Sequence, residues 1–555
     1  MASFSRILNR TGWSLEGVSL PWASGEVSIY DHVRAHLVPG RPGLTEGGEA
    51  LPDEERMARS GGLRWVAGGL DGTFAQHGGA GADEAVADSL HEALAALGER
   101  ATARALSDLY DLMLRHSALE SVDALNGRIV RGGIDPAKLH TIARFLATRA
   151  PDREPVKLAI AWLGLLRGGD DDELLRALAR HEEFTLYAAV ALANRLEDPE
   201  HTLFTLAREV KGWGRIHLIE RLADSESPEV RRWLLREGFR NQIDLGYTVL
   251  IAARTGQLRE ELERGAPDPE LFVAAGEILS ALIEGRNGPS AGMDDYEEGA
   301  AATALYLDLL AERAERLEDL NHAATIRGFL TEGSEDDEDA WAEREIHGWT
   351  PELRERLIAR CDEVLAWPGW RDKVAQTVSA GERGDRAVDR AAFAVADQAA
   401  RALGIDLWDA HFRRAEAELD LWHWAAIAAT KDPERRSRVL ALGLARLDLP
   451  RIGSGPGLDV GFGGFGPRFA QASCLEAILP ALRETPGAGV PLVLAALKSP
   501  ATRLRHRALD AIEAWGPEAR PEPVAEELIG AAAAEPDEKI RLRIAALLAD
   551  PEPAN

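Results

Sequence analysis

Cysteine is nearly absent from this chain: Cys361 and Cys474 stand far apart, with no C-x-x-C spacing. That excludes a disulfide framework or a cysteine-rich zinc site as the organising element. Aromatic residues are scarce at 6%, although 14 of them are tryptophan. Period-two runs of Val, Ile and Thr are almost missing, so little of the chain reads as strand. No stretch comes near the ~20 consecutive apolar residues of a membrane-spanning helix. Positive charge is in deficit: 64 Lys and Arg stand against 92 Asp and Glu, a formal net charge of −28. A surface that neutralises nucleic-acid phosphates carries a basic surplus, so nucleic acid is disfavoured as a partner. An anionic membrane is disfavoured on the same ground. The opening stretch MASFSRILNRTGWSLEG lacks an apolar segment behind its basic residues. No secretory signal is therefore expected, and the expected location is cytoplasmic.

What remains is rich in Ala, Leu, Arg and Glu, the strong helix formers. Segments such as DEAVADSLHEALAALG, ATARALSDLYDLMLRHS and DPAKLHTIARFLATRA are apolar on one face and parted by short breakers of Gly, Pro, Asp or Asn. Helices joined by short loops make antiparallel neighbours, and repetition of such pairs builds an α-solenoid. The expected fold is all-α, a HEAT-like α-solenoid of antiparallel helix pairs in two lobes. Residues 1–60 are expected to form an N-terminal extension, with one helix candidate at VSIYDHVRAHL. A helical-repeat lobe over 61–330 follows, then an acidic linker at 331–348 around the run Glu335 to Asp339. The C-terminal lobe covers 349–555, with a glycine-rich loop at 449–467 and repeats over 487–550.

The repeat is explicit near the C-terminus. SPATRLRHRALDAIEAWG and EPDEKIRLRIAALLAD align, so that Pro500 falls on Pro536, Leu504 on Ile540, Arg505 on Arg541 and Arg507 on Arg543. The offset of 36 residues lies just below the roughly 40–47 of HEAT and armadillo units. The branched apolar position belongs in the core, and the arginine beside it is expected at the edge. Both stretches resemble the second helix of a HEAT repeat. ADSESPEVRRWLLREG, with Pro228, Val230 and Arg231, is a looser copy.

KGWGRIHLIERL at 211–222 offers the best candidate site. On a helix, Ile216, Leu218, Ile219, Leu222 and Ala223 share one face, while Trp213, His217, Glu220 and Arg221 fall on the other. With Arg215 these residues read as a partner-binding cluster facing a groove, where Gly212 and Gly214 allow close approach. The competing reading is packing on both sides of the helix, with Trp213 wedged against its neighbour. The glycine-rich loop contains a formal GxGxxG, Gly461 to Gly466, but no strand, second strand or acid in the places a dinucleotide fold needs. Phe462 and Phe465 in it are candidate lid contacts over a groove.

Metal chemistry has little support. His32 and His36 share a helical spacing that can chelate, yet Val33 stands where a zincin glutamate would be. MDDYEE at 293–298 reads as a solvated edge. Trp408, Asp409, Trp422, His423 and Trp424 are aromatic and acidic residues of the kind that HEAT-like DNA glycosylases use. The acidic balance of the chain and its length favour core packing for these tryptophans. No catalytic residue, metal or cofactor is expected.

KGWGRIHLIERL…SPEVRRWLLREGFRN, together with LYDLMLRHSALESVDALNGRI at 109–129, resembles a bacterial HEAT-like helical-repeat family whose members often carry the label limonene hydroxylase. The resemblance covers about residues 60–330 and brings no catalytic assignment to carry over. The expected function is a non-enzymatic scaffold or adaptor that binds a protein or peptide on its concave surface, a basic one by charge complementarity. A small-molecule enzyme, as the label implies, and a nucleic-acid-binding or DNA glycosylase-type protein are the alternatives.

Overall fold

The computed structural model describes residues 13–38, 41–59, 66–78, 81, 83–167, 170–265, 267–285, 290–332, 337–380, 386–457 and 469–549. Among them the chain is helical throughout, with no strand, and an isolated bridge pairs Leu37 with Leu44. None of these helices is long and apolar enough to cross a membrane. The helices begin where the sequence supplies caps. Asp83, Thr102, Asp135, Thr350, Asp432 and Asp537 each accept a hydrogen bond from a backbone N–H of the first turn, a contact worth about 1 kcal/mol. Pro136, Pro228, Pro351 and Pro433 open their helices, where the missing N–H has no partner to lose.

The chain divides into two compact units, Met1–Pro368 and Gly369–Asn555. In the first, alternate helices pack in a row: Glu84–Glu99 on Ala118–Arg131, that on Arg153–Gly164, then Glu182–Arg195, then Gly212–Glu220. A helix in the middle of such a row is covered on both sides. Arg153–Gly164 accordingly buries Val156, Leu158, Ile160, Trp162 and Leu163 around most of its circumference. The row idea continues in Pro269–Gly285, Leu317–Thr331 and Pro351–Leu365. In the second unit, Leu421–Ala428, Ala470–Leu482, Thr502–Trp515 and Glu538–Leu548 pack in sequence around a core that includes Trp424, Ile478, Leu509 and Ile540.

The N-terminal segment is laid along the first unit. Trp13 Nε1 donates to Leu97 O at 3.1 Å, Ile29 N to Ala150 O at 3.0 Å and Gly43 N to Glu209 O at 2.8 Å. VSIYDHVRAHL forms the helix Ile29–His36, capped by Ser28.

Two features differ from expectation. The unit boundary follows Pro368, not the acidic stretch at 331–348. Residues Asp337–Ile346 there are helical, with Trp341 buried and Arg344 bonded to Asp294 at 2.6 Å; residues 333–336 lie outside the described ones. Arg505 is not at an edge. It is fully buried, donating to both oxygens of Glu535 at 2.9 and 2.8 Å and to the carbonyls of Ser499, Pro500 and Gly457. A guanidinium in the interior survives only when its donors are paired in this way. The acids of MDDYEE lie at the surface, where Asp294 pairs with Arg344, Glu297 with Arg254 and Glu298 with Arg259.

Candidate functional site

Buried charge is concentrated in one place in the first unit. The Lys157 side chain, 2% exposed, reaches Asp71 at 2.8 Å, Glu154 at 2.9 Å and Glu183 at 2.7 Å. Tyr187 Oη donates to the Asp71 carboxylate at 2.9 Å. Burial works against the ammonium, but the three acids outweigh it and hold the Lys157 pKa well above its ordinary value. Burial likewise would raise Glu183; Lys157, Arg153 and the Gly68 N–H at 2.9 Å overcome it and bring Glu183 down to about 2. Beside Lys157's helix start, Arg153 is clamped by Asp53, with Nε at 3.0 Å and Nη2 at 2.9 Å, and by Glu54 at 2.9 Å. Arg56 from the same N-terminal segment holds Asp152 at 2.7 Å, which also accepts Tyr110 Oη at 2.6 Å. The segment around residues 53–56 is thus fastened by ion pairs to the start of the Arg153 helix.

In front of this wall lies a cleft of about 750 Å³, within the size range of ligand pockets. The strap Leu44–Leu51 forms one side, the starts of the Glu182 and Gly212 helices the other, and Val66 and Ile243 give it an exposed apolar rim. Its acids are Glu46, Glu49, Glu54, Glu182 and Glu183, against Arg153 and Lys211. Arg153 is spent on Asp53, Glu54 and Glu183. Glu46, Glu49 and Glu182 have no ion-pair partner among the described residues. Glu182 accepts the Trp213 N–H at 3.1 Å. Burial and the neighbouring Glu49 nevertheless push Glu182 up to about 7, against the pull of that N–H and of Lys211. Partial burial raises Glu49 as well.

His181 caps the Glu182 helix through Nδ1, which accepts the Glu183 N–H at 3.2 Å. Burial lowers its pKa to about 4, so the ring is neutral near pH 7. Gly212 makes the helix junction possible: its φ is +52, and a Cβ there would overlap the Glu182 carboxylate.

The sequence-predicted residues lie beside this cleft but not on an open groove. Trp213 is buried, its indole over Gly72, where a Cβ would overlap the ring, and 5.2 Å from the Tyr247 ring. His217, also buried, pairs with Glu220 at 3.3 Å, and Gln76 donates to Glu220. Arg215 is buried over the Trp233 ring at 5.2 Å and donates to the carbonyls of Glu237 and Gly238. The expected exposed face is therefore covered, by helix Gly69–His77 and by the turn at Tyr247; of the five residues only Arg221 is exposed. Phe462 and Phe465 lie outside the described residues, as does the GxGxxG stretch.

The other candidates resolve into packing. His32 Nε2 meets Gly48 O at 3.1 Å and His36 Nδ1 meets His32 O at 2.8 Å; no group of three ligating side chains converges among the described residues. Trp408 and Trp424 are buried and bond through Nε1 to Ile427 O and Glu418 O. Asp409 pairs with Arg438 at 3.2 Å. His423 meets His411, Nδ1 to Nδ1 at 3.0 Å, and Asp397 backs His411 at 3.0 Å.

The cleft residues were missed in the sequence, although His181-Glu182-Glu183 is a His-x-Glu tripeptide of the kind that non-haem iron enzymes use. Here Glu183 turns to Lys157 and Arg153 instead. Set against known protein families, curated proteins and solved structures, the chain has no match. Fold and site define an all-helical protein with a carboxylate-lined cleft on a buried ionic wall.

Proposed function

We propose that the chain is a HEAT-like α-solenoid scaffold that holds a basic polypeptide segment in the cleft between residues 44–51 and the starts of the Glu182 and Gly212 helices. One observation carries the reading. Behind the cleft the acids are matched by Lys157 and Arg153, whereas at its front Glu46, Glu49 and Glu182 form no ion pair among the described residues, and Lys211 pulls on Glu49 and Glu182 only from beyond contact distance. A cation entering there recovers Coulomb energy that the folded chain leaves unused. The apolar rim of Val66 and Ile243 suits the side chains flanking such a charge. Trp213, Arg215 and His217 are buried beside the cleft, Glu220 is half-buried and Arg221 exposed. The test is titration calorimetry of the full chain with short basic, neutral and acidic peptides at low and moderate salt. Basic peptides are expected to bind, less tightly as salt rises, and Glu49→Gln with Glu182→Gln to weaken them. Equal binding of acidic peptides, or no effect of the double substitution, refutes the proposal.

A further inference from the structure

Besides carboxylates that form no ion pair, the cleft wall has a buried ring nitrogen that closes no hydrogen bond among the described residues. His181 is fully buried, and its Nδ1 accepts the Glu183 N–H, which places the proton of the neutral ring on Nε2. Nε2 closes no hydrogen bond of normal geometry among the described residues, although the Glu49 backbone lies close enough to favour a proton on the ring. Buried donors are nearly always satisfied, so an orphan on a cleft wall marks a place for an acceptor. Glu182 is the next residue in the chain, and Glu49 is close enough to perturb its carboxylate.

A ligand that satisfies this arrangement carries a cation and a hydrogen-bond acceptor only a few ångströms apart. A lysine side chain has an ammonium on a bare hydrocarbon stem, and an arginine guanidinium has donors only. A free polypeptide N-terminus has both: an α-ammonium and, three bonds away, the first carbonyl oxygen. We propose that the cleft captures the free α-amino terminus of a polypeptide, its ammonium between Glu49 and Glu182 and its first carbonyl oxygen on His181 Nε2. This rests on the reading of the cleft as a site for basic polypeptide and narrows it to a chain end. A volume of about 750 Å³ admits more than one residue, with the first side chains against Val66 and Ile243. Nε2 is sealed from solvent beside the Glu49 backbone, so the proposed capture includes a shift of that backbone.

The pH profile separates a chain end from a side chain. Glu182 has Glu49 and Lys211 across the cleft, His181 and Glu183 beside it in sequence and Arg153 among the lining residues; burial first, then Glu49, raise it to about 7 against the Trp213 N–H and Lys211. Binding of an ammonium therefore strengthens as Glu182 ionises. An α-amine loses its proton near pH 8, whereas a lysine holds its own to about 10. Affinity for a chain end is expected to peak between these limbs, and affinity for a lysine side chain to reach a plateau.

The experiment uses the full chain and four probes: Ala-Ala-Ala-Ala-Tyr-amide, its N-acetylated twin, an acetylated peptide with an internal lysine, and alaninamide. Titration calorimetry from pH 6 to 9 is expected to show the free-amine peptide binding at least about tenfold more tightly than its acetylated twin, with a maximum between the two limbs. Glu182→Gln is expected to remove the rising limb. His181→Phe should weaken the free-amine peptide; because His181 caps a helix, its fold is checked by circular dichroism, and exposed Glu49→Gln serves as the second variant. Equal binding of the acetylated lysine peptide and the free-amine peptide overturns the chain-end inference and leaves the basic-polypeptide reading in place. Alaninamide binding as tightly as the pentapeptide keeps the amine chemistry but overturns capture of a polypeptide. Absence of binding by all four, and by arginine-rich peptides, overturns both readings.

Discussion

Replacing Lys157 with methionine removes the cation shared by Asp71, Glu154 and Glu183 while keeping most of the stem's volume. Three carboxylates are then left in the interior with only Arg153 nearby, 3.7 Å from Glu183. Taking one partner from a buried ion pair costs about 3–5 kcal/mol, and that range is expected at pH 8. The carboxylates can relieve the repulsion by binding protons. Each proton held costs about 1.4 kcal/mol per pH unit above the ordinary carboxylate pKa. The variant's folded state thus binds more protons than its unfolded state, so its stability falls as pH rises. The wild type behaves oppositely at this position. Its Glu183, held at about 2, contributes stability that is present above the unfolded pKa and is lost as pH falls toward 2. The penalty for Lys157→Met should therefore shrink by about 2–3 kcal/mol between pH 8 and pH 6 if one proton is taken up. Because the chain has two compact units, a global melting curve would blend two transitions. Hydrogen exchange of peptides from Arg153–Gly164 and Glu182–Arg195 reads the affected helices directly. A loss under about 1 kcal/mol at pH 8, or an equal loss at both pH values, refutes the account of Lys157 as the cation that keeps these acids ionised.

Gly72→Ala drives a methyl into the Trp213 indole and should cost about 1–3 kcal/mol; Trp213→Leu in the same chain should restore part of it, as urea unfolding will show. Glu182→Gln should stabilise the first unit above pH 7. The folded pKa of about 7 exceeds the unfolded value, so the cost is absent below about pH 4, grows between the two and reaches up to about 3 kcal/mol above pH 7. Unfolding at pH 5 and pH 8 measures the difference, and an equal effect at both values contradicts it. Arg505→Met leaves Glu535 buried without its partner and should cost the second unit about 3–5 kcal/mol, read by calorimetry.

The helical class was legible because it depends on local pattern: one-sided apolar periodicity, acidic and threonine caps, and proline at helix starts all act within a few residues. The aligned stretches around Arg505 and Arg541 were legible for the same reason. Their chemistry was not, since Arg505 is buried by a glutamate thirty residues away, while Arg541 remains exposed. The unit boundary shows competing local signals. The acidic run at 335–339 reads as a linker, yet residues 337–346 are helix and the division falls after Pro368. The helix at 212–220 was assigned a polar outer face because Gly72, which makes room for Trp213, lies far away in sequence. Asp71, Lys157 and Glu183 are equally scattered, and a lysine within REPVKLAIAWLG reads as the edge of an apolar helix. Only the adjacent His181, Glu182 and Glu183 left a local trace.

The two rows of acids in the first unit differ in what they can do, and the difference follows from who supplies the cation. Asp71, Glu154 and Glu183 are matched from within, so a ligand cation would have to displace Lys157 or Arg153 and would gain little. A buried ion cluster of that kind is weak evidence for net stability, since well-packed apolar side chains often serve as well. Its effect here is to consume the interior cations and fix their positions. Arg153 is held by Asp53 and Glu54 on one side and faces Glu183 on the other, which keeps it from turning to Glu182 one residue further forward. The front carboxylates consequently form no ion pair among the described residues, Lys211 pulls on Glu49 and Glu182 from beyond contact distance, and burial beside Glu49 leaves Glu182 close to its own titration point. A site in that condition responds to a cation with both Coulomb attraction and proton release. On the proposed reading the N-terminal segment that fastens Arg153 belongs to the binding apparatus, although Asp53 itself need not touch the ligand.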